Sequence, residues 1–150
     1  MSLTKEEVYK ELHALLLGKQ KEIVESIALL KQSAAEDTKS SAGDKYETGR
    51  EMVRQEIDKA ELMYGEYRVQ MDQLKSIDPR EKHAKVKSGS LVFTDRTVML
   101  IAIGFGKIEV NGQVVFVISP QAPLARLMMD KTPGESLTFN GLTQQLVQVV

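Results

Sequence analysis

Over the first third of the chain, apolar residues recur at Val8, Leu12, Leu16, Ile23, Ile27, Leu30 and Ala34, in steps of three and four with one slot skipped at Lys19. That spacing lines one face of a helix. Thr4, with Glu7 three residues on, has the pattern of a capping box and places the helix start just ahead of Lys5. A second run, Val53, Ile57, Ala60, Tyr64, Tyr67, Met71 and Leu74, alternates steps of four and three without a break and reads as a heptad seam.

The two stripes are mutually consistent with an antiparallel helical hairpin, or coiled coil. Pairing Leu12 with Met71, Leu16 with Tyr67, Ile23 with Ala60 and Leu30 with Val53 gives an index sum of 83, while Val8 with Leu74 gives 82 and Ile27 with Ile57 gives 84, so the sums stay near 83. A constant sum is what facing layers of a hairpin require, and half of it places the fold-back between Ser41 and Ala42, beside Gly43. Each arm is then about 30 residues, roughly 45 Å at 1.5 Å per residue.

Beyond the second stripe the period changes. Pro79 breaks the helix, and the polar, lysine-rich stretch to Gly89 reads as a linker. From Ser90 onward β-branched runs dominate: SLVFT, TVMLIAI, KIEV, QVVFVIS, SLTF and QQLVQVV. Asn111-Gly112 and Asn140-Gly141 predict two hairpins, and Pro123 followed by LARLMM predicts one short helix. The expected fold class is α+β, with an N-terminal helical domain over 1–80 and a small α+β domain over 84–150.

Charge and composition narrow the function classes only a little. Lys plus Arg number 20 against 21 Asp plus Glu, which offers no electrostatic pointer to nucleic acid or membrane. The absence of cysteine excludes disulfides, thiolate zinc sites and cysteine nucleophiles. No apolar run approaches the ~20 residues that span a bilayer, and the charged start MSLTKEEVYKELH is unlike a secretory signal, so a cytoplasmic location away from membranes is expected.

Candidate chemistry concentrates at the expected fold-back. Asp44 and Glu47 stand three apart, flanked by Lys39, Lys45, Arg50 and Arg54. Asp at N-cap with Glu at N3 would start the second helix. Alternatively, the two carboxylates share one helical face and offer hard oxygen ligands to a divalent cation, with the rest of its shell supplied by a partner. The surrounding cations are either a solvated face or a track for a nucleic-acid backbone. His13 and His83 read as surface histidines unable to build a zinc site or a triad. Met128 and Met129 read as packing residues, and Gly104 and Gly106 as a bulge or strand end. With only Phe93, Phe105, Phe116 and Phe139 available, no aromatic-lined proline pocket and hence no prolyl isomerase activity is expected.

The tip segment AGDKYETGREMVRQE, the hairpin before it and the run ISPQAPLARLMMDKTPGESLTF resemble bacterial transcript cleavage factors of the GreA and GreB type over nearly the whole chain. The tip is similar to the family's Gly-Asp-x-x-Glu. Ser119, Pro120, Pro123, Leu124, Ala125, Arg126, Lys131, Gly134 and Glu135 match its proline-started helix and the turn beyond it. The resemblance implies an FKBP-like second domain and a transcription elongation factor that enters the secondary channel of RNA polymerase. It implies that Asp44 and Glu47 serve as catalytic and metal-binding tip acids, sharing the second Mg²⁺ with the polymerase's own carboxylates. Lys39, Lys45, Arg50 and Arg54 would then guide the RNA 3′ end, and Ser119, Pro120, Pro123, Arg126 and Lys131 would meet the polymerase. On this reading the protein is a monomer and not an enzyme alone, since it stimulates hydrolysis by the polymerase. Thr48, Glu51 and Asp130 stand where the family usually has Asn, an aromatic and glycine. The alternative reading is a channel-occupying regulator or coiled-coil interaction module without cleavage activity.

Overall fold

A computed structural model describes residues 3–37 and 43–150, with side chains described for 3–36 and 48–150. It is α+β: two long helices, α1 (Lys5–Asp37) and α2 (Gly43–Lys75), precede a six-stranded mixed sheet and one short helix. Contacts divide the chain into two compact units, Met1–Ala14 with Asp72–Val150, and Leu15–Met71.

The long-helix unit buries what its periodicity predicts. Leu16 is fully buried and Ile23, Ile27, Leu30 and Ala34 are half-buried, while on α2 Val53, Ile57, Ala60, Tyr64, Tyr67 and Met71 are all sheltered. In the layer where the stripe skips, Gln20 is the half-buried residue and Lys19 is exposed. A four-step from Leu16 reaches Gln20 and a three-step from there reaches Ile23, so the heptad is intact with a polar residue in one slot. Lys31 and Glu61, both largely exposed, approach to 3.9 Å across the two helices.

In the other unit α1 starts as its capping pattern predicts: Glu7 N–H donates to Thr4 Oγ1 at 3.2 Å, and the Thr4 hydroxyl donates to Glu7 Oε1 at 2.9 Å. Six strands follow: β1 (Leu91–Thr94), β2 (Val98–Ile101), β3 (Gly106–Val110), β4 (Gln113–Ile118), β5 (Ser136–Phe139) and β6 (Leu142–Val149). Their spatial order is β3-β4-β2-β1-β6-β5, with β2 and β4 parallel and every other pair antiparallel. Both Asn-Gly turns have positive φ at each central residue, 52° and 80° at Asn111-Gly112 and 52° and 77° at Asn140-Gly141. These are type I′ hairpins, whose twist matches the strands they join. Helix α3 (Pro123–Met128) starts on its proline and packs Ala125 and Met128 against Val92, Met99, Ile101, Leu137 and Leu146 on one face of the sheet. On the opposite face Leu91, Leu100, Val115 and Val117 are fully buried, and in the same unit Val8 and Leu12 are fully buried and Leu74 nearly so.

The stretch read as a linker is irregular but integrated. Val86 is fully buried and belongs to the α3 cluster. His83 N–H donates to Val150 O at 3.0 Å, Val86 N–H to Lys131 O at 2.9 Å, and Gly89 N–H to Ile101 O at 2.6 Å. Gly89 has φ 94°, and a Cβ there would lie 2.8 Å from Ile77 Cγ2, so both backbone and space demand glycine.

Candidate functional site

Gly43 opens α2, which makes Asp44 and Glu47 the second and fifth residues of that helix, three apart on its backbone. Lys39 lies outside the described residues, as do the side chains of Asp44, Lys45 and Glu47. Arg50 is exposed one turn further on, and Arg54 is exposed with Glu51 at 4.0 Å. Among the described residues, no three His, Cys, Asp or Glu side chains gather in a way that could hold a metal ion. Also among them, no helix is long and apolar enough to cross a membrane.

The residues matched in the second domain occupy one continuous path without forming one pocket. Ser119 follows β4 and its Oγ donates to Gln121 Oε1 at 2.6 Å while accepting from Gln121 N–H at 3.2 Å. Ser119 and Pro120 open onto a hollow of about 190 Å³ with Gln73, Ser76 and Ser88. Pro123 is the first residue of α3 and Arg126 lies exposed in its last turn. Lys131 is half-buried, its backbone tied to Met128 and Val86. Between α3 and Lys131 stands Asp130, whose φ of 65° is left-handed. A glycine fits that place best, since it has no Cβ to crowd the preceding turn. Beyond it Thr132 N–H and its hydroxyl both donate to Glu135 Oε2, at 2.7 and 3.0 Å. Those bonds hold the Glu135 carboxyl below its usual pKa.

Two sequence expectations need correction. His83 is not a surface histidine: it is 7 % exposed, with Nδ1 2.6 Å from Ser90 Oγ. Burial pushes its pKa down, and Lys5 and Lys87 add to that against an opposing Glu81. It lies in a stretch whose polar composition hides the docking, because backbone hydrogen bonds and a single apolar anchor, Val86, hold the segment. His13 is half-buried and lines a hollow of about 540 Å³ with Tyr9, Lys10 and Arg80.

The second correction concerns the absent aromatic pocket. An open groove of about 400 Å³ lies on the sheet face that carries α3, lined by Met99, Phe116, Ile118, Leu124, Phe139 and Leu142. Phe116 and Phe139 come from different strands, and only the sheet order brings them together. Polar atoms at its margin come from Thr97, Asn140 and Gln144.

Two buried polar groups also escaped the sequence reading. Lys5, 3 % exposed, donates from Nζ to Glu81 O at 2.5 Å and Val150 O at 2.6 Å, and burial lowers its pKa. Tyr9 has a buried hydroxyl with no hydrogen-bond partner among the described residues, and burial raises its pKa well above the phenol range. Nothing in a helical stripe distinguishes such residues from ordinary flanking positions. Comparison with protein-family models, with curated proteins and with solved structures gives no match to this chain.

Proposed function

We propose that the protein is a transcription elongation factor of the GreA and GreB kind, acting on RNA polymerase through its secondary channel. The observation that carries the reading is the acidic pair Asp44 and Glu47 in the first turns of α2, within a chain whose element order suits that family. Two 33-residue helices with sheltered heptad stripes support an antiparallel coiled-coil hairpin. Two type I′ hairpins flanking α3 support an FKBP-like second domain.

On this reading Asp44 and Glu47 complete an oxygen shell begun by the polymerase's carboxylates, in the cytoplasm and without membrane contact. Mg²⁺ held there would supply a bound water of lowered pKa and positive charge for the phosphodiester. The factor is not an enzyme alone. Its own task is to place two carboxylates, and Arg50 and Arg54, with Lys39 and Lys45, offer positive charge to the RNA 3′ end. A second reading, occupation of the channel without stimulated cleavage, is favoured by Thr48 and Glu51, because the acid at 51 sits beside Arg54 where the family usually carries an aromatic.

The test is RNA hydrolysis in stalled, backtracked elongation complexes with and without the protein. Shortened transcripts appearing only with the factor are expected. Polymerase binding without any shortening would select the second reading, and no binding would end both.

A further inference from the structure

The chain holds two asparagines, Asn111 and Asn140, and each is followed by glycine. That dipeptide is chemically labile. Glycine has no Cβ to shield its backbone nitrogen, so the nitrogen can reach Cγ of the asparagine before it. Both pairs sit at exposed tips of type I′ hairpins with φ of 52° at the asparagine, and a Cβ on Gly112 or Gly141 would meet nothing within 4 Å. Backbone geometry and solvent access therefore make the two sites equivalent, and any difference between them lies in what holds each side chain.

Asn111 Nδ2 donates to Glu7 Oε2 and so ties the β3–β4 turn to the first turn of α1, while the other oxygen of that carboxylate accepts from the Thr4 hydroxyl. A bond to an ionised acceptor is stronger than one between neutral groups. It keeps Cγ of Asn111 from swinging onto the Gly112 nitrogen, and the Glu7 charge opposes the anion that nitrogen becomes on losing its proton. The side chain of Asn140 makes no hydrogen bond among the described residues. The strands differ in the same sense: β5 lies at the sheet edge and pairs with β6 alone, at four positions, whereas β4 pairs with β2 as well as β3.

We propose that Asn140 is a site of spontaneous backbone modification, passing through a succinimide to aspartate and isoaspartate, and that Glu7 shields Asn111 from the same reaction. The Gly141 nitrogen gives its proton to solvent base and attacks Asn140 Cγ. The new N–Cγ bond forms, the Cγ–Nδ2 bond breaks, and ammonia leaves with a proton from water. Water then opens the ring at either carbonyl, and opening at the main-chain carbonyl leaves isoaspartate, whose Cβ lengthens the backbone of the turn. A two-residue turn fixes the register across it, so the added atom frees β5 from β6. Leu137 of β5 is buried in the cluster beneath α3, which the loosened strand would open. The reaction needs only water and base, and it does not rest on the polymerase reading.

The experiment ages the full chain in mildly alkaline buffer and follows the peptides that carry Asn111 and Asn140 by mass spectrometry, with isoaspartate read by an isoaspartyl methyltransferase. Asn140 should convert about tenfold faster than Asn111. In urea, where the fold is lost, the two rates should fall within about threefold of each other, because the dipeptides are the same. Glu7→Ala should speed Asn111 by about tenfold and leave Asn140 unchanged. Spectra of the variant establish that it is folded, and the urea comparison decides the matter if it is not. Hydrogen exchange over Ser136–Phe139 should quicken in the aged chain and stay as it was over Gln113–Ile118. An Asn140 that does not convert, equal native rates, faster loss at Asn111, a difference that persists in urea, an Asn111 rate unmoved in folded Glu7→Ala, or β5 exchange unchanged by isoaspartate would each overturn the proposal.

Discussion

At the scale of single residues, the informative positions are those where a side chain opposes its surroundings. Asp130 holds a left-handed backbone that costs an L-residue more than glycine. Its ion pair with Lys85, at 4.0 Å and mostly exposed, returns almost nothing. Its N–H to Val86 O bond survives any side-chain change. Asp130→Gly is therefore expected to stabilise the fold by about 0.5 kcal/mol, the relieved strain being partly offset by greater freedom in the unfolded chain. Urea denaturation would show it as a higher midpoint at unchanged slope.

His83 opposes its site through charge. Its folded pKa lies below the ordinary 6.5, so the unfolded chain binds the proton more readily. The stability this contributes is present above pH 6.5 and is lost as pH falls through the folded value. The neighbouring Asp78 and Glu81 carboxyls are both held below their usual values by hydrogen bonds from Arg80 and Lys87, so they stay ionised above pH 5. Thermal melts should therefore fall between pH 7.5 and 5, by up to about 1.4 kcal/mol per pH unit for one proton. In His83→Asn, which can keep a hydrogen bond to Ser90, the fall should flatten. An identical slope in the variant would remove His83 from the account.

At the scale of elements, the helical stripe makes a quantitative distinction. Leu16 is fully buried in the long-helix unit while Leu29 is 66 % exposed, although both are leucines in α1. Leu16→Ala should cost about 2–4 kcal/mol through lost burial and an unfilled cavity, and Leu29→Ala within about 0.5 kcal/mol. Chemical denaturation of both variants checks it, and similar costs would mean that the stripe is not the buried face. The helices were legible because a period of three and four is imposed by geometry on every turn. All six strands and α3 were legible too: β-branched runs show each strand, Asn-Gly turns separate β3 from β4 and β5 from β6, and Pro123 starts α3. The integration of 79–89 was not, because its anchors are backbone bonds and one valine, which leave no period to read. Nor was the groove, since Phe116, Phe139 and Gln144 meet only through a sheet order that places β4 and β6 on opposite sides of β2 and β1.

At the scale of the whole molecule, function turns on whether the first turns of α2 use their acids to start a helix or to complete a metal shell. The two roles differ in what they ask of charge. Asp44 is the second residue of α2, where an anion gains about 0.3–1 kcal/mol from the helix dipole. Asp44→Asn forfeits at most that, so the melting temperature should move by no more than a few degrees. A metal shell is far less tolerant, because replacing an anionic oxygen by a neutral amide removes the charge a hard cation needs. If Asp44 and Glu47 complete the Mg²⁺ site of a backtracked polymerase, Asp44→Asn and Glu47→Gln should each lower stimulated cleavage by about 100-fold or more, with polymerase binding preserved. Cleavage is measured at saturating factor, so that weak binding cannot pass for lost chemistry, and each variant is melted in parallel. Cleavage that survives both substitutions would leave the acids with helix initiation alone.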